Sequence, residues 1–384
     1  MTRVLQTSAR SAGWEWSREV PFDGGTERIE QWRCRRPDDL ARAYSVETRI
    51  GKPFDVVGIK GGDLDETRAY ASFLADSAKR LYASDAAEET VLACPACGRG
   101  ADDASEAFRI FDVPYHRCVS CRHGFVRRRP SQGELTKLFS NSEEHSSAYL
   151  DRAAAERRIE AIIAPKLDWV LDVYARSIGG QPAKAIDVGA GGGHFVAGAT
   201  RAGIATEGWE VSAPSRRFAK SVFDVDLRGG DFTAEAGGAD LITFWGLLEY
   251  VPEPQTFLRA ARERLSPENG LIVVEVPRFD ALGTIVQACN PTGVARHMDP
   301  TTHINCFSDT SLMTALGQCG FEPVAAWYFG MDAYELLVQI ALRSGHDDVL
   351  EKCADMIPAL QAGIDAGLRC DDLIVAARPS RSAT

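Results

Sequence analysis

Two groups of residues have the types and spacing to do chemistry. One is Ala185-Ile-Asp-Val-Gly-Ala-Gly-Gly-Gly-His194: a short apolar run carrying the acid Asp187, glycines at 189, 191 and 193, and then a helix-forming stretch. Glycines let a backbone approach a ligand closely, and the first turn of the following helix offers N–H groups that have no partner within the helix. Glu210 stands 21 residues beyond Gly189, where an acid closing the next strand accepts hydrogen bonds from both hydroxyls of a ribose. Together these residues describe a nucleoside site. The Gly-x-Gly-x-Gly spacing differs from the G-x-G-x-x-G turn of nicotinamide-binding folds, which sets a dehydrogenase aside.

The other group is Cys94-x-x-Cys97 and Cys118-x-x-Cys121, with twenty residues between the pairs. Thiolates are soft ligands, and two such knuckles supply a closed tetrahedral set for zinc. Pro95 and Gly98 suit the first knuckle, Ser120 and Gly124 the second. A disulfide pair or an iron-sulfur cluster is the alternative. Four thiolates leave no open coordination position, so the metal would hold together a small ribbon without a core of its own. His116 and His123 flank the second knuckle and read as surface or supporting residues.

Such residues need strands whose ends converge. From Ala183 the chain alternates strand and helix: strands over 184–188, 206–211, 225–228, 239–244 and 270–276, with helices over 193–202, 214–222 and 254–265. The run 270–276 is almost continuously apolar, as in a strand covered on both faces. A loop-rich insertion follows to about Cys306, then a helix opening at Ser308, a strand over 321–328, one or two helices over 347–368 and a last strand over 372–378. Upstream, apolar residues at helical spacing mark 68–82, 149–163 and 164–177, and the Gly179-Gly-Gln-Pro182 break ends the last of these. Trp14, Trp16, Trp32 and Val56-Val57 indicate that the first part is more than a tail, whereas Pro379 to Thr384 reads as frayed. The alternation predicts an α/β fold with a doubly wound, Rossmann-like sheet of seven strands. Five segments follow: 1–88, an appendage of unknown role; 89–131, the zinc-binding ribbon; 132–178, a helical connector; 179–330, the cofactor-binding core; and 331–384, a C-terminal helical extension with the last strand.

The chain has 384 residues, 45% of them apolar, and a formal net charge of -11, which argues against bulk attraction to a phosphate backbone. No stretch has the length or apolarity of a signal peptide or a membrane span, so the expected location is cytoplasmic. In that reducing compartment the six cysteines outside the two pairs (Cys34, Cys289, Cys306, Cys319, Cys353 and Cys370) read as small buried hydrophobes. Residues 94–130 carry seven arginines against four acids. Arg127-Arg-Arg129 beside Phe125 is either a nucleic-acid contact or a turn that packs on the rest of the protein.

Residues 180–330 resemble the class I S-adenosylmethionine (SAM)-dependent methyltransferases. The glycine turn, Glu210, Asp231-Phe232 and Phe244-Trp-Gly-Leu-Leu-Glu-Tyr-Val-Pro252 carry the resemblance. It implies that the turn (Gly189, Ala190, Gly191, Gly193) cradles the methionine end near Asp187. Glu210 would meet the ribose, with Val211 beside it in the cofactor site, and Asp231 and Phe232 the adenine. Phe244, Trp245 and Leu247 would lie under the cofactor. Relatives often end the last of these signatures in Leu-Glu-His; here Tyr250 replaces that histidine, so a role for it cannot be copied. His303-Ile-Asn-Cys-Phe-Ser308 is also similar to a segment of the family's active-site edge.

A four-cysteine ribbon ahead of such a core resembles enzymes that methylate sugars, nucleotide-sugars, surface glycans and natural-product precursors. The resemblance implies O- or C-methylation of a small acceptor, with His303 or His297 as base and Tyr250 or Glu249 orienting the acceptor. His194 would contact the surroundings of the cofactor. The alternatives are an RNA methyltransferase that reads its substrate with the ribbon, and a non-catalytic SAM- and zinc-binding scaffold.

Overall fold

A computed structural model describes residues 2–6, 14–21, 25–35, 41–52, 64–83, 88–141, 150–235, 237–293 and 297–380. Val56-Val57, the start of the expected helix at Tyr149 and the tail beyond Ser380 lie outside them. The first four strands are β1 (Thr2–Gln6), β2 (Glu15–Pro21), β3 (Glu27–Arg35) and β4 (Ala41–Ile50), followed by helix α1 (Leu64–Tyr82). The cysteine module contains β5 (Glu88–Thr90), β6 (Ser105–Ile110), β7 (Val113–Arg117), β8 (Gly124–Val126) and β9 (Arg128–Pro130). Helix α2 (Gln132–Asn141) leads to α3 (Ala155–Arg158), which runs through one π turn (Ile159–Ile163) into α4 (Ala164–Ser177). Pro165 stands in the first turn of α4, directly after the π turn, and the helix continues past it.

The core then alternates as expected: β10 (Lys184–Val188), α5 (His194–Arg201), β11 (Ala205–Trp209), α6 (Ala213–Phe223), β12 (Leu241–Trp245), α7 (Pro254–Arg264) and β13 (Leu271–Pro277). Ser212 caps α6 by accepting from the Ser215 N–H. The insertion expected to be loop contains helix α8 (Leu282–Ala288) and strand β14 (Asn305–Cys306). Next come α9 (Asp309–Gln318), capped reciprocally by Ser308 and Ser311, and β15 (Phe321–Phe329). Helix α10 (Asp332–Ser344), which the sequence reading passed over, precedes the short α11 (Val349–Lys352), α12 (Ile357–Ala366) and β16 (Asp372–Pro379).

Ten strands form one sheet in the order β1-β2-β3-β4-β15-β16-β13-β12-β10-β11. Six come from the core, where seven were expected. Val225–Arg228 touches β11 through one parallel bridge, Trp209 to Arg228. It is bounded by left-handed backbone at Asp224 and Gly230. The N-terminal residues add four strands, because β4 runs parallel to β15 from Ala325↔Glu47 to Tyr328↔Ile50. Strand β16 pairs antiparallel with both β13 and β15, so it belongs to the core sheet and not to an extension outside it.

Each face of the sheet carries its own apolar core. Trp169, Val170 and Val173 of α4 cover Ala185, Leu241, Val273, Trp327 and Ile374. On the other face Leu258 and Ala261 of α7 and Leu312 and Leu316 of α9 meet Ile186, Ile242, Ile272 and Val274. All seven residues of β13 are buried, and each large aliphatic side chain so covered contributes about 1.5–3 kcal/mol. The N-terminal strands are fixed to the core by buried charge. Arg18 donates to the Tyr328 hydroxyl at 2.6 Å and faces Asp309 at 3.2 Å, while Arg278 donates to the other Asp309 oxygen at 2.8 Å.

Candidate functional site

The glycine turn sits at the C-terminal end of β10. Gly189, Gly191 and Gly193 have φ of 74°, 53° and 77°, a region in which a side chain strains the backbone. A Cβ at Gly193 would lie 2.8 Å from that of Ala219, whereas one at Gly191 would meet nothing within 4 Å. The turn is thus closed beneath and open above Gly191. The Gly189 and Ala190 N–H groups both donate to the Trp209 carbonyl at 2.9 Å, which ties the turn to the end of β11.

Glu210 follows β11 directly and accepts from the N–H groups of Gly191 at 2.8 Å and Ser212 at 2.6 Å. Each carboxylate oxygen has a second lone pair, so a diol still has acceptors there. Burial raises the Glu210 carboxyl above its ordinary range, opposed by those backbone donors and by Arg216. Val211 beside it is exposed. Asp187 lies opposite Thr243 in the β10–β12 register and accepts its hydroxyl at 2.7 Å. Burial pushes Asp187 up to about 7; the Thr243 bond and Lys166 oppose this, and Glu210 adds to it.

Beyond β12, Leu247 comes within 3.0 Å of the Cβ position of Gly189, and Trp245 stacks obliquely on Phe195 with its indole nitrogen buried and unpartnered. Asp231 accepts from both the N–H and the hydroxyl of Thr233, so one of its oxygens holds the turn. Phe232 and Phe244 lie inside the protein. Both are buried and pack edge-on against each other, Phe232 also against Trp209 and Phe257. His194 is likewise enclosed, by Phe218 and Phe223.

Tyr250 and His303, 53 positions apart, meet: the Tyr250 hydroxyl is 3.0 Å from His303 Nε2. His303 Nδ1 lies 2.6 Å from the His297 carbonyl. A carbonyl only accepts, so Nδ1 carries the proton and Nε2 takes the hydrogen of the tyrosine. His297 is buried and its own Nε2 is 2.8 Å from the Arg278 carbonyl, so Nε2 carries its proton. Glu249 is also buried, with Oε2 unpartnered. Burial drives its carboxyl well above the ordinary range, with Glu275 and Asp372 adding to the effect.

Three residues of this edge were not anticipated. Lys166 on α4 pairs with Glu275 on β13 at 2.5 Å, its amine 5.0 Å from the Trp245 ring. Lys52, two residues past β4, donates to the Ile162 carbonyl at 3.4 Å and lies 5.0 Å from the Phe329 ring. Burial and neighbouring Lys166 bring its amine down to about 7. No local signal pointed to them, because the pairing of β4 with β15 carries Lys52 to the sheet's ligand-binding edge.

In the cysteine module Sγ of Cys94 and Cys121 are 3.6 Å apart and those of Cys97 and Cys118 3.8 Å, and all four lie within 4.8 Å of one another. A disulfide needs about 2.05 Å. Tetrahedral zinc with bonds of about 2.3 Å needs sulfurs roughly 3.8 Å apart, which this set fits. Left-handed backbone closes the knuckles at Gly98 and Arg122. Gly124 serves packing instead: a Cβ there would lie 2.4 Å from the Phe279 ring. His123 is fully buried, not on the surface, between Asn305 and Ser311.

Residues 154–326 match the family model described as a methyltransferase domain. Its central segment is a SAM-dependent methyltransferase domain. The enzyme is 25% identical over 229 residues to a ubiquinone biosynthesis O-methyltransferase of Bordetella avium (strain 197N), covering 57% of this chain and 90% of the relative. Among solved structures, the magnesium protoporphyrin IX methyltransferase of Synechocystis PCC 6803 with bound SAH overlaps 62% of this chain and 88% of its own at 11% identity and a TM-score of 0.39. An O-methyltransferase family protein of Burkholderia thailandensis overlaps 65% and 68% at 14% identity and a TM-score of 0.39. These last two overlaps are too loose to inform the acceptor. Among the described residues of the methyltransferase, no helix is long and apolar enough to cross a membrane.

Proposed function

We propose that the protein methylates a hydroxyl of a small acceptor, of the sugar, nucleotide-sugar, glycan or natural-product precursor kind, with Tyr250 and His303 taking the proton. The contact between the Tyr250 hydroxyl and His303 Nε2 carries this reading. It puts a hydrogen-bonded pair where relatives often have a histidine, and the similarity to an O-methyltransferase favours oxygen over carbon. SAM, when bound, supplies an electrophilic methyl group on a sulfonium. Glu210 would hold its ribose, the open side of Gly191 its methionine end, and exposed Val211 and Asp231 its adenine. As the acceptor oxygen forms its bond to the methyl carbon, the carbon–sulfur bond breaks and S-adenosylhomocysteine (SAH) leaves. The acceptor proton passes to the Tyr250 oxygen while the tyrosine proton moves to His303 Nε2.

Cys94, Cys97, Cys118 and Cys121 would hold a structural zinc, as their spacing fits. The ribbon's arginines are mostly engaged with the protein's own acids. Arg117 and Arg122 face Asp280, Arg127 faces Asp102, and buried Arg129 faces Glu89. That arrangement favours a small acceptor over RNA. Reduced thiols suit the cytoplasm.

Calorimetry of the metal-loaded protein with SAH tests the cofactor half. Micromolar binding is expected, weakened about tenfold or more by Glu210→Ala, which is about 1.4 kcal/mol. Screening of nucleotide-sugars and simpler polyols, and then RNA, tests the acceptor half. Turnover of RNA alone would overturn it.

A further inference from the structure

The cysteine module shares its sheet with the segment that carries His303. Strand β14 lies beside β8, with Asn305 opposite Phe125 and Cys306 opposite Gly124, in a four-stranded sheet of order β14-β8-β7-β6. The Val126 N–H donates to the Ile304 carbonyl at 3.0 Å, and the fully buried Tyr115 hydroxyl donates to the carbonyl of His303 itself at 3.0 Å. Ser308, which caps the next helix, donates to the Cys121 carbonyl at 3.1 Å.

Asn305 joins the two halves of the proposed proton-handling pair. Its N–H donates to the Glu249 carbonyl at 3.1 Å and its side-chain amide to the Val251 carbonyl at 2.7 Å. Those carbonyls flank Tyr250 on either side. Its Oδ1 faces His123 Nε2, in the module, at 3.1 Å. One fully buried side chain thus brackets the loop of Tyr250, sits two residues from His303 and is held from behind by the ribbon.

We propose that the cysteine module is a positioning device for the Tyr250–His303 pair, acting through Asn305 and Tyr115, and not a substrate-reading ribbon. The inference rests on the reading that Tyr250 and His303 handle the acceptor's proton. The second knuckle ends two residues before His123 and runs directly into β8. A metal on the four thiols would therefore fix the strand from which Asn305 and the His303 carbonyl are held. The glycine turn and Glu210 follow β10 and β11 in the ten-stranded sheet and not in the module's own sheet, so cofactor binding should be separable from this effect.

The test uses the full chain, metal-loaded as purified, with ¹⁵N-labelled histidine. The imidazole signals are read by NMR, that of His303 being assigned with His303→Gln. The wild type should show His303 neutral with the proton on Nδ1. In Asn305→Ala and Tyr115→Phe, and on stripping the metal with a chelator, that signature should shift or broaden toward mixed tautomers. Affinity for SAH should stay within about twofold, and zinc alone should restore the wild-type signal. Tyr115→Phe removes one oxygen, so it remains informative if Asn305→Ala fails to fold. A His303 signature unchanged in Tyr115→Phe and in the stripped, SAH-binding protein would overturn the proposal. A signature that moves while His303→Gln leaves methyl transfer intact supports the device and removes the base reading instead.

Discussion

Replacing Lys52 with methionine should stabilise the folded protein by an amount that depends on pH. Burial and Lys166, reinforced by Arg49 and opposed by Glu275 and Asp372, hold the amine at about 7 against an ordinary 10.5. The unfolded chain keeps the ordinary value. At about 1.4 kcal/mol for each tenfold change in proton affinity, the folded environment penalises this lysine by roughly 4 kcal/mol near neutrality. Methionine would fill the same space against Trp327 and Phe329 but lose the bond to Ile162 and the attraction of the rings, roughly 1 kcal/mol each. A net gain of about 2 kcal/mol remains at pH 7. Between about 7 and 10.5 the native state binds fewer protons than the unfolded state, so wild-type stability rises with pH across that window. The advantage of methionine is therefore full below pH 7, shrinks as pH rises, vanishes near about pH 9, where the penalty has fallen to the roughly 2 kcal/mol of contacts that methionine gives up, and is reversed above that. Urea unfolding of both proteins at about pH 6, 8 and 10 measures it as a change in midpoint at constant slope. A Lys52→Met protein no more stable than wild type at about pH 6, or a difference that ignores pH, would refute the reasoning. A lysine retained at this expense stands at the ligand-binding edge of the sheet, where proteins give up stability for function.

Tyr250→Phe keeps the ring and removes only the hydroxyl that meets His303. Steady-state kinetics on an identified acceptor should show kcat down by about a hundredfold or more with SAH affinity unchanged, and an unaltered kcat would remove Tyr250 from the chemistry. Asp187→Asn should stabilise the ligand-free protein at pH 8 and not at pH 3. The Asp187 carboxyl is raised to about 7, so the native state holds the extra proton and wild-type stability falls as pH climbs from about 4 to 7. Thermal melts across that range check it, and a difference that is constant with pH counts against a raised carboxyl.

The residues legible in the sequence were those whose chemistry is local. The glycine turn, Glu210 and the cysteine pairs each declare themselves within a few positions, and β10 to β13 carry patterns that only a covered parallel strand tolerates. The N-terminal strands stayed unread for a physical reason. Strand β2 alternates buried and half-buried residues, but one inward position is Arg18, and in β3 another is Glu30, so the apolar period that marks a strand is broken by the ion network that docks it. Helix α8 was hidden by its seven-residue length, whereas the pattern for α10 was present and overlooked. The Tyr250–His303 pair could not be derived, because residues far apart in sequence meet only when the ribbon folds against β14. Tyr250, read as a departure from its relatives, gains its meaning from that contact.

That same ion network decides whether the N-terminal strands are part of the enzyme or merely attached to it. Arg18 is buried among Glu30, Asp309 and the Tyr328 hydroxyl. Removing one partner of a buried ionic cluster usually costs about 3–5 kcal/mol, because the remaining charge is stranded. Here the remaining groups keep other donors: Glu30 retains Arg28 at 2.8 Å and the Trp32 indole at 2.9 Å, and Asp309 retains Arg278 at 2.8 Å. Arg18→Met should therefore cost nearer 2–3 kcal/mol. The loss should appear first as faster amide exchange in β2 and β3, whose residues lie at the sheet end opposite the glycine turn. Affinity for SAH should hold within about twofold. If instead the exchange of β2 and β3 is unchanged while SAH binding falls tenfold, the strands act on the cofactor site through the core, and their role as a sheet extension held by buried charge is wrong.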